Sequence, residues 1–313
     1  MKRHPALIVV SLLLVTLISC AAAPPIDRDY SEIVGDYETL IELPFITNRK
    51  IEISWRDERY FGNTVGGIAG GTCAVGINEG DDDGDLIGVR GGSVLSVFGD
   101  LDPEDGIVVY VHGYYEDFER ACRRAATLKR RLGVDKGFLL FTWPANSQPL
   151  TYRDDEADLE ASTPTILKLL DDLGTRFGPE RISIIAHSLG SRGAVNSLRD
   201  WPVPDRKFRS LVLVAADIDR AMFIESLPEL QEHVENITVL VSDRDRALLV
   251  SETVNRAPRL GQSDDVAIEG IEIFDVTTIA DTHFSGHVYH LRNQEVIDII
   301  RAALAAGGAE KGP

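Results

Sequence analysis

Six apolar, β-branched runs follow residue 105, and a segment with helical periodicity comes after each of them. Runs that stay apolar along their whole length are typical of parallel strands, which helices cover on both faces. The runs are GIVVYVHG, GFLLFTW, RISIIAHS, SLVLVAAD, NITVLVS and IEIFDVTTI, all within residues 106–279. The alternation therefore predicts an α/β domain with a doubly wound, mostly parallel sheet.

The segment from Leu40 to about Leu101 is β-rich and contains two glycine-rich patches, which predicts antiparallel strands at the N-terminal edge of the sheet. No linker rich in proline, glycine and serine divides the middle of the chain. A chain of 313 residues with 44% hydrophobic side chains can bury one large core. We therefore expect a single domain over residues 39–307 and a disordered tail at residues 308–313.

Proline and asparagine mark possible helix boundaries. Thr163-Pro164 lies within a helical run over residues 154–177 and is typical of a helix start, which leaves one helix or two open. Pro228 predicts a break in the helical run RAMFIESLPELQEHV, and Asn293 predicts the cap of the last helix.

The first twenty residues, MKRHPALIVVSLLLVTLISC, resemble the export signal of a bacterial lipoprotein. Two basic residues precede an apolar stretch over residues 6–18, which is short for a helix that crosses a bilayer. The ending LISC resembles the lipobox, in which the cysteine becomes the lipid-bearing first residue of the mature protein. We expect residues 1–19 to be removed and Cys20 to carry lipid such as palmitate, and an uncleaved anchor helix is the alternative.

Residues 20–38 follow as a tether without helical or strand periodicity. Ala21 resembles the residue that sorts lipoproteins to an outer membrane in a bacterium with two membranes. The sequence thus predicts a periplasmic protein that contacts the membrane through its lipid. Cys73 and Cys122 remain in the mature chain, and an oxidising periplasm would allow them to pair. The sequence leaves a disulfide and two buried thiols equally open.

Acidic residues outnumber basic residues by 50 to 32. Removal of residues 1–19 takes away two basic residues and no acids, which leaves 30 against 50 and a net charge of −20. An excess of this size repels nucleic acid and anionic lipid head groups. We therefore expect no nucleic-acid partner.

The stretch AHSLG at residues 186–190 places a serine at a turn between a predicted strand and a predicted helix. In open α/β sheets, ligands bind beyond the carboxyl ends of the strands, which is where this turn falls. Gly-x-Ser-x-Gly at such a turn is the nucleophile elbow of α/β-hydrolases. Alanine replaces the first glycine here but keeps the position small. Ser188 is therefore our candidate nucleophile, and the alternative is a serine that only caps the helix.

A serine nucleophile needs a histidine to take its proton and an acid to orient that histidine. On this fold the order along the chain is serine, acid, histidine, and each follows a strand. Asp245, after NITVLVS, is the favoured acid, and Asp217, after the preceding strand, is the alternative. His287, after the last strand, is the favoured base, and His283 and His290 are the alternatives.

Seven blocks of the sequence are similar, in order, to those of a family of bacterial α/β-hydrolases of unknown function. They are FITNR at 45–49, VYVHGYYEDFERA at 109–121, FTWPA at 141–145, IIAHSLGSR at 184–192, VAADID at 214–219, VSDRDRAL at 241–248 and GHVYH at 286–290. The resemblance covers about residues 43–300 and implies an α/β-hydrolase fold with a serine hydrolase triad. His287 matches the histidine of the family's Gly-His pair.

An oxyanion hole needs N–H donors that are fixed before charge develops. We expect one donor from Leu189, directly after the nucleophile. The other comes from Tyr114, because His112-Gly113-Tyr114 resembles the His-Gly turn of lipases and esterases. On this interpretation His112 is structural, and His187 is a packing or orienting residue.

The remaining motifs do not indicate a cofactor or a metal. DDDGD at 81–85 lacks the final glutamate of a calcium loop, and GNTVGGIAGGT lacks the lysine of a phosphate loop. No spacing of cysteine or histidine fits a zinc site. We therefore predict that neither is needed.

These observations predict a serine hydrolase of the esterase type that cleaves an ester or related acyl bond of a small molecule through an acyl-enzyme. The inserts after FTWPA and at residues 257–270 are short, which argues against a large lid. The alternatives are a non-catalytic lipoprotein that uses the fold as a binding scaffold, an acyltransferase and a peptidase.

Overall fold

The computed structural model describes residues 34–52, 60–80, 83–102, 104, 106–148, 151–203, 205–263, 267–280 and 285–306. The predicted signal peptide, Cys20, most of the tether and the predicted C-terminal tail lie outside these residues. Within the described ranges, no helix combines the length and the apolar character that crossing a membrane requires.

The described chain alternates strands and helices after an N-terminal β-rich segment. The strands are β1 (Thr39–Ile51), β2 (Phe61–Ile77), β3 (Asp85–Gly92), β4 (Ile107–Val111), β5 (Phe138–Thr142), β6 (Ile182–His187), β7 (Phe208–Val214), β8 (Val234–Val241) and β9 (Glu272–Asp275). The helices are α1 (Val94–Asp100), α2 (Phe118–Leu132), α3 (Tyr152–Phe177), α4 (Gly190–Arg199), α5 (Arg220–His233), α6 (Arg246–Asn255), α7 (Tyr289–Arg292) and α8 (Gln294–Ala305).

All nine strands form one sheet in the order β3-β2-β1-β5-β4-β6-β7-β8-β9. The β1–β2 and β2–β3 pairs are antiparallel, and the six remaining pairs are parallel. The predicted fold class is confirmed, including the antiparallel strands contributed by the N-terminal segment. Since β4, β6, β7, β8 and β9 are parallel neighbours, the loops at their carboxyl ends meet along one edge of the sheet.

Helices cover both faces of the sheet, and a hydrophobic core fills each interface. Alternate residues of β4 serve the two cores: Val109 and Val111 pack on one face, and Val108 and Tyr110 pack on the other. The first core also includes side chains of α1, α3, α4 and α5, and the second includes those of α2, α6, α7 and α8. This alternation follows from the two-residue period of a strand, and it explains why the strands are apolar throughout.

Two prolines lie inside continuous helices. The structure has one helix across Pro164, and the predicted break at Pro228 is wrong because α5 continues through it. Apolar side chains are buried on both sides of each proline: Leu159 and Ile166 in α3, Leu227 and Leu230 in α5. Burial of one such side chain contributes about 1.5–3 kcal/mol, so two of them offset the cost of about 3 kcal/mol for a proline in a helix.

Two further sequence-based questions are answered by local geometry. Asn293 caps α8 as predicted, because its side chain accepts hydrogen bonds from the N–H groups of Glu295 and Val296. Cys73 in β2 and Cys122 in α2 form a disulfide, with their α-carbons 6.2 Å apart. The disulfide joins the antiparallel part of the sheet to the helix that follows β4.

Candidate active site

Ser188 lies at the sharp turn between β6 and α4. Its φ of +52° is in the left-handed region, which is unfavourable for a residue with a side chain. The turn is held by hydrogen bonds from the Ser188 N–H to the Val214 carbonyl oxygen, 3.0 Å, and from the Ser191 N–H to the Ser188 carbonyl oxygen, 3.1 Å. Gly190 is required here, because a Cβ at this position would overlap the carbonyl oxygen of His112.

The structure brings Ser188, His287 and Asp245 together. Ser188 Oγ lies 2.8 Å from His287 Nε2, and His287 Nδ1 lies 2.6 Å from Asp245 Oδ2. A carboxylate only accepts, so Nδ1 donates to Asp245 and Nε2 remains as the acceptor for the serine hydroxyl. In this arrangement His287 can remove the proton of Ser188.

The position of Asp245 follows from its place at the start of α6. Its Oδ1 accepts hydrogen bonds from the N–H groups of Ala247, 3.0 Å, and Leu248, 3.1 Å, which leaves Oδ2 for His287. The side chain is fully buried. Burial alone lowers the pKa of His287, but the charge of Asp245 and its hydrogen bond outweigh burial and raise that pKa above 6.5.

The alternative acid, Asp217, serves different partners. Its carboxylate accepts hydrogen bonds from the hydroxyls of Tyr152 and Ser251, each at 2.6 Å. Arg192 donates to the Asp217 main-chain oxygen at 2.6 Å, and Arg259 Nε lies 3.4 Å from Oδ1. In the described structure no histidine is hydrogen-bonded to this carboxylate. Asp217 therefore belongs to a buried polar cluster beside the elbow.

The alternative bases are not joined to Ser188 in the part of the chain that is described. His290 is fully buried, neither of its ring nitrogens has a hydrogen-bond partner among the described residues, and its ring lies 4.4 Å from the ring of His187. His283 lies outside the described residues. Gly286 has a φ of +64°, and this backbone conformation delivers His287 to the site.

The loop after β4 lies directly beside the candidate nucleophile. A Cβ built on Gly113 would lie 2.8 Å from the Cβ of Ser188, so only glycine lets the loop approach so closely. The Leu189 N–H has no hydrogen-bond acceptor among the described residues, which suits a donor reserved for an oxyanion. Tyr114 follows Gly113 in this loop, and its ring packs edge-on against Tyr152 with centroids 5.4 Å apart.

His112 is held by the scaffold. Its ring is fully buried, stacks on Trp143 with centroids 5.2 Å apart, and accepts a hydrogen bond from the Trp143 main-chain N–H at 3.2 Å. The Trp143 indole N–H donates in return to the His112 carbonyl oxygen at 2.9 Å. Burial and the nearby Arg49 charge lower the pKa of His112 well below 6.5, so the ring is neutral. These contacts fix the start of the loop.

Arg49 and Glu116 support this loop, and the sequence interpretation missed both. Arg49 is fully buried and donates to the carbonyl oxygens of Glu116, 2.7 Å, and Ala145, 3.2 Å, and to the hydroxyl of Thr142, 2.9 Å. Burial lowers the pKa of Arg49 to about 9. The available signal was the arginine that ends the block FITNR, although nothing in the sequence identifies its partners.

A cavity of about 570 Å³ opens between α3, α4 and α5. Leu189 and Ile218 line it, but Ser188 and His287 do not. The cavity therefore borders α4 without reaching the candidate triad, and we do not assign it to the candidate active site. Within the described residues, no group of three or more histidine, cysteine, aspartate or glutamate side chains is arranged to hold a metal ion.

A family model described as "Alpha/beta hydrolase of unknown function (DUF900)" matches residues 95–304. No curated protein matches the chain in sequence. Similar solved structures include SOBER1 from Arabidopsis thaliana, with 10% identity, a TM-score of 0.41, and coverage of 65% of this chain and 99% of that one.

Two further similar structures come from bacteria. A putative hydrolase of the alpha/beta superfamily from Xanthomonas campestris pv. campestris has 13% identity and a TM-score of 0.37, with 64% of this chain and 98% of that one covered. A lipase-esterase related protein from Clostridium acetobutylicum has 10% identity and a TM-score of 0.37, with 65% and 96% covered.

Proposed function

The chain belongs to the DUF900 family of α/β-hydrolases, and on that premise we propose that it is a serine hydrolase that cleaves an ester or related acyl bond. The observation that carries the proposal is the continuous hydrogen-bonded line from Ser188 through His287 to Asp245. Three loops from separate strands supply these side chains. A serine that served only as a helix cap would not require a histidine backed by a buried acid.

In the proposed reaction, His287 Nε2 takes the proton of Ser188 as Oγ attacks the acyl carbon. Asp245 keeps the proton on Nδ1 and stabilises the imidazolium that forms. The oxyanion accepts hydrogen bonds from the N–H groups of Leu189 and Tyr114. The imidazolium then protonates the leaving alcohol, and an acyl-enzyme remains. Water attacks this ester with His287 as base, which releases the acid and restores Ser188.

The burial of the reacting atoms supports a substrate whose acyl group can reach below the protein surface. Ser188 is only 3% exposed and the His287 side chain 14%, so the reacting atoms lie below the surface. The rings of Tyr114, Tyr115 and Tyr152 form a chain of aromatic contacts with centroids 5.4–5.8 Å apart. Aromatic rings provide apolar contact area, and the hydroxyls of Tyr114 and Tyr152 are hydrogen-bonded.

Labelling with a fluorophosphonate probe tests the proposal. Wild-type protein should be labelled at Ser188 and should turn over p-nitrophenyl esters of short acyl chains. Ser188→Ala should abolish both, whereas Ser191→Ala, in the same turn, should retain labelling. Absence of labelling in correctly folded wild-type protein would favour the non-catalytic scaffold. Transfer of the acyl group to an added alcohol or amine in preference to water would indicate an acyltransferase, and cleavage of peptides would indicate a peptidase.

We further propose that the protein is a lipoprotein anchored through Cys20 and exposed to the periplasm. The lipobox-like LISC and the short apolar stretch before it support this proposal. The Cys73–Cys122 disulfide also supports it, because disulfides persist mainly in oxidising compartments. Expression of the full chain and of Cys20→Ala in a double-membraned bacterium provides the test. The wild type should incorporate labelled palmitate into the membrane fraction, and the variant should not.

A further inference from the structure

His187, the residue before the nucleophile, contacts the candidate base. Its ring is 1% exposed, and its Nε2 lies 3.0 Å from the main-chain carbonyl oxygen of His287. A carbonyl oxygen only accepts, so Nε2 of His187 carries a proton and donates it. The rings of the two histidines lie 4.7 Å apart, and His290 packs on His187 with centroids 4.4 Å apart.

The second nitrogen of the His187 ring faces a buried acid. Nδ1 lies 3.8 Å from Oε1 of Glu116, whose side chain is fully buried. Oε1 accepts a hydrogen bond from Arg124 at 2.9 Å. Among the described residues, neither His187 Nδ1 nor Glu116 Oε2 has a hydrogen-bond partner. The groups that face His187 are therefore Glu116, His287 and His290, and Arg124 stands behind Glu116.

The 3.8 Å contact between His187 Nδ1 and Glu116 Oε1 requires a proton on one of the two groups to be favourable. A bare Nδ1 and a carboxylate oxygen would both be acceptors and would repel each other in a medium of low dielectric constant. A proton on either group removes the repulsion. Burial raises the pKa of the Glu116 carboxyl against the opposing charge of Arg124, and burial lowers the pKa of His187 well below 6.5. Of the two groups, Glu116 is therefore the one that holds a shared proton more readily.

We propose that Glu116 and His187 form a positioning pair that holds the backbone of His287, and thereby fixes its imidazole between Ser188 and Asp245. Glu116 lies on the loop that supplies the candidate oxyanion donor, and Arg49 fixes its carbonyl oxygen. His187 directly precedes the nucleophile. The pair thus connects the loop after β4, the turn that carries Ser188 and the loop that carries His287. These three segments must hold their relative positions during the reaction.

Matched substitutions test the role of the His187 donor. The amide nitrogen of His187→Gln can occupy the place of Nε2 and donate to the His287 carbonyl, whereas His187→Met has similar volume and no donor. Because a small misplacement of a catalytic group costs about 10²-fold, we expect kcat of the Met variant to fall about 10–100-fold with KM nearly unchanged. The Gln variant should retain most of the activity. Tyr110→Phe serves as the control, because it removes a buried hydroxyl near His290. This variant should keep the wild-type kcat and KM.

A second measurement separates this proposal from the proposed function, on which it rests. The imidazole N–H between His287 and Asp245 should give a strongly downfield proton resonance in NMR spectra of the wild type. That resonance should persist in His187→Gln and shift or broaden in His187→Met, whether or not an ester is turned over. If His187→Met does not fold, Glu116→Met against Glu116→Gln tests the other member of the pair, and the Met variant should again show the lower kcat and the altered resonance. Equal kcat and equal resonances in the Met and Gln variants would overturn the positioning role, whereas failure of wild-type labelling would overturn only the hydrolase assignment.

Discussion

The main-chain N–H of Asp217 donates to the carbonyl oxygen of Ser188 at 3.1 Å, while the Asp217 carboxylate points away to Tyr152 and Ser251. The backbone of Asp217 therefore supports the turn at Ser188, but its side chain is not hydrogen-bonded to His287, the candidate base. Asp245 has the opposite relationship, because its carboxylate contacts His287, the candidate base, and among the described residues its backbone is not hydrogen-bonded to Ser188. The two acids can be distinguished by experiment.

We expect Asp245→Asn to lower kcat about 10³–10⁴-fold, because an amide in place of the carboxylate favours the wrong tautomer of His287. Stability should change less than in Asp217→Asn, because asparagine caps a helix about as well as aspartate and its amide can still hydrogen-bond to the other tautomer of the His287 ring. Asp217→Asn should reduce kcat far less but should cost about 1–3 kcal/mol of unfolding free energy, because it disrupts buried, charge-assisted hydrogen bonds. Steady-state kinetics measures kcat of the two variants, and urea denaturation measures their unfolding free energies. A larger loss of kcat in Asp217→Asn would identify Asp217 as the acid.

The raised pKa of His287 predicts the acid limb of the pH profile. Only neutral His287 can accept the proton of Ser188, so activity is lost as the ring is protonated. Because Asp245 raises the pKa above 6.5, kcat/KM should begin to fall at a pH higher than an unperturbed histidine would give. In Asp245→Asn the raising charge is absent, and the midpoint should move to lower pH. A limb that does not move in this variant would exclude the Asp245–His287 pairing.

The parts of the site that sequence could predict are those fixed by chain order on a parallel sheet. Ser188, Asp245 and His287 each follow a strand, and parallel strands bring such residues to one edge. The sequence favoured Asp245 but left Asp217 open, because both residues follow strands at that edge. The difference lies in side-chain orientation: as the N-cap of α6, Asp245 directs one carboxylate oxygen toward His287, and this orientation is set by the folded chain.

The supporting residues could not be predicted, because their partners lie far away in sequence. Arg49 and Glu116 are 67 positions apart, and charged residues of this kind are normally expected at the surface. The wrong prediction at Pro228 has a related cause. Local propensity favours a break there, but burial of the flanking leucines against the sheet outweighs it. Tertiary contacts therefore determine both the partners of Arg49 and the continuity of α5 at Pro228.

The left-handed backbone of Ser188 predicts a conflict between stability and activity at the elbow. A residue with a side chain costs about 1–2 kcal/mol in this conformation, and glycine avoids the cost. We expect Ser188→Gly to be about 1 kcal/mol more stable than Ser188→Ala, with both variants inactive. The comparison with alanine removes the hydroxyl from both proteins, so it isolates the backbone term. Urea denaturation followed by circular dichroism measures the difference. A less stable glycine variant would show that the elbow is not strained.

The Cys73–Cys122 disulfide predicts a dependence of stability on redox state. It closes a loop across 49 positions, and a cross-link of that length lowers the entropy of the unfolded chain by an amount worth about 2–4 kcal/mol. Cys73→Ala with Cys122→Ala should lose about this much unfolding free energy, and adding a reductant to the wild type should have a similar effect. Neither cysteine is hydrogen-bonded to the candidate triad, so kcat at 25 °C should be retained. The double variant is the matched control for the reductant, because adding reductant should not change the stability of a protein without the disulfide. Equal unfolding free energies for the oxidised and reduced wild type would show that the cross-link does not restrict the unfolded chain.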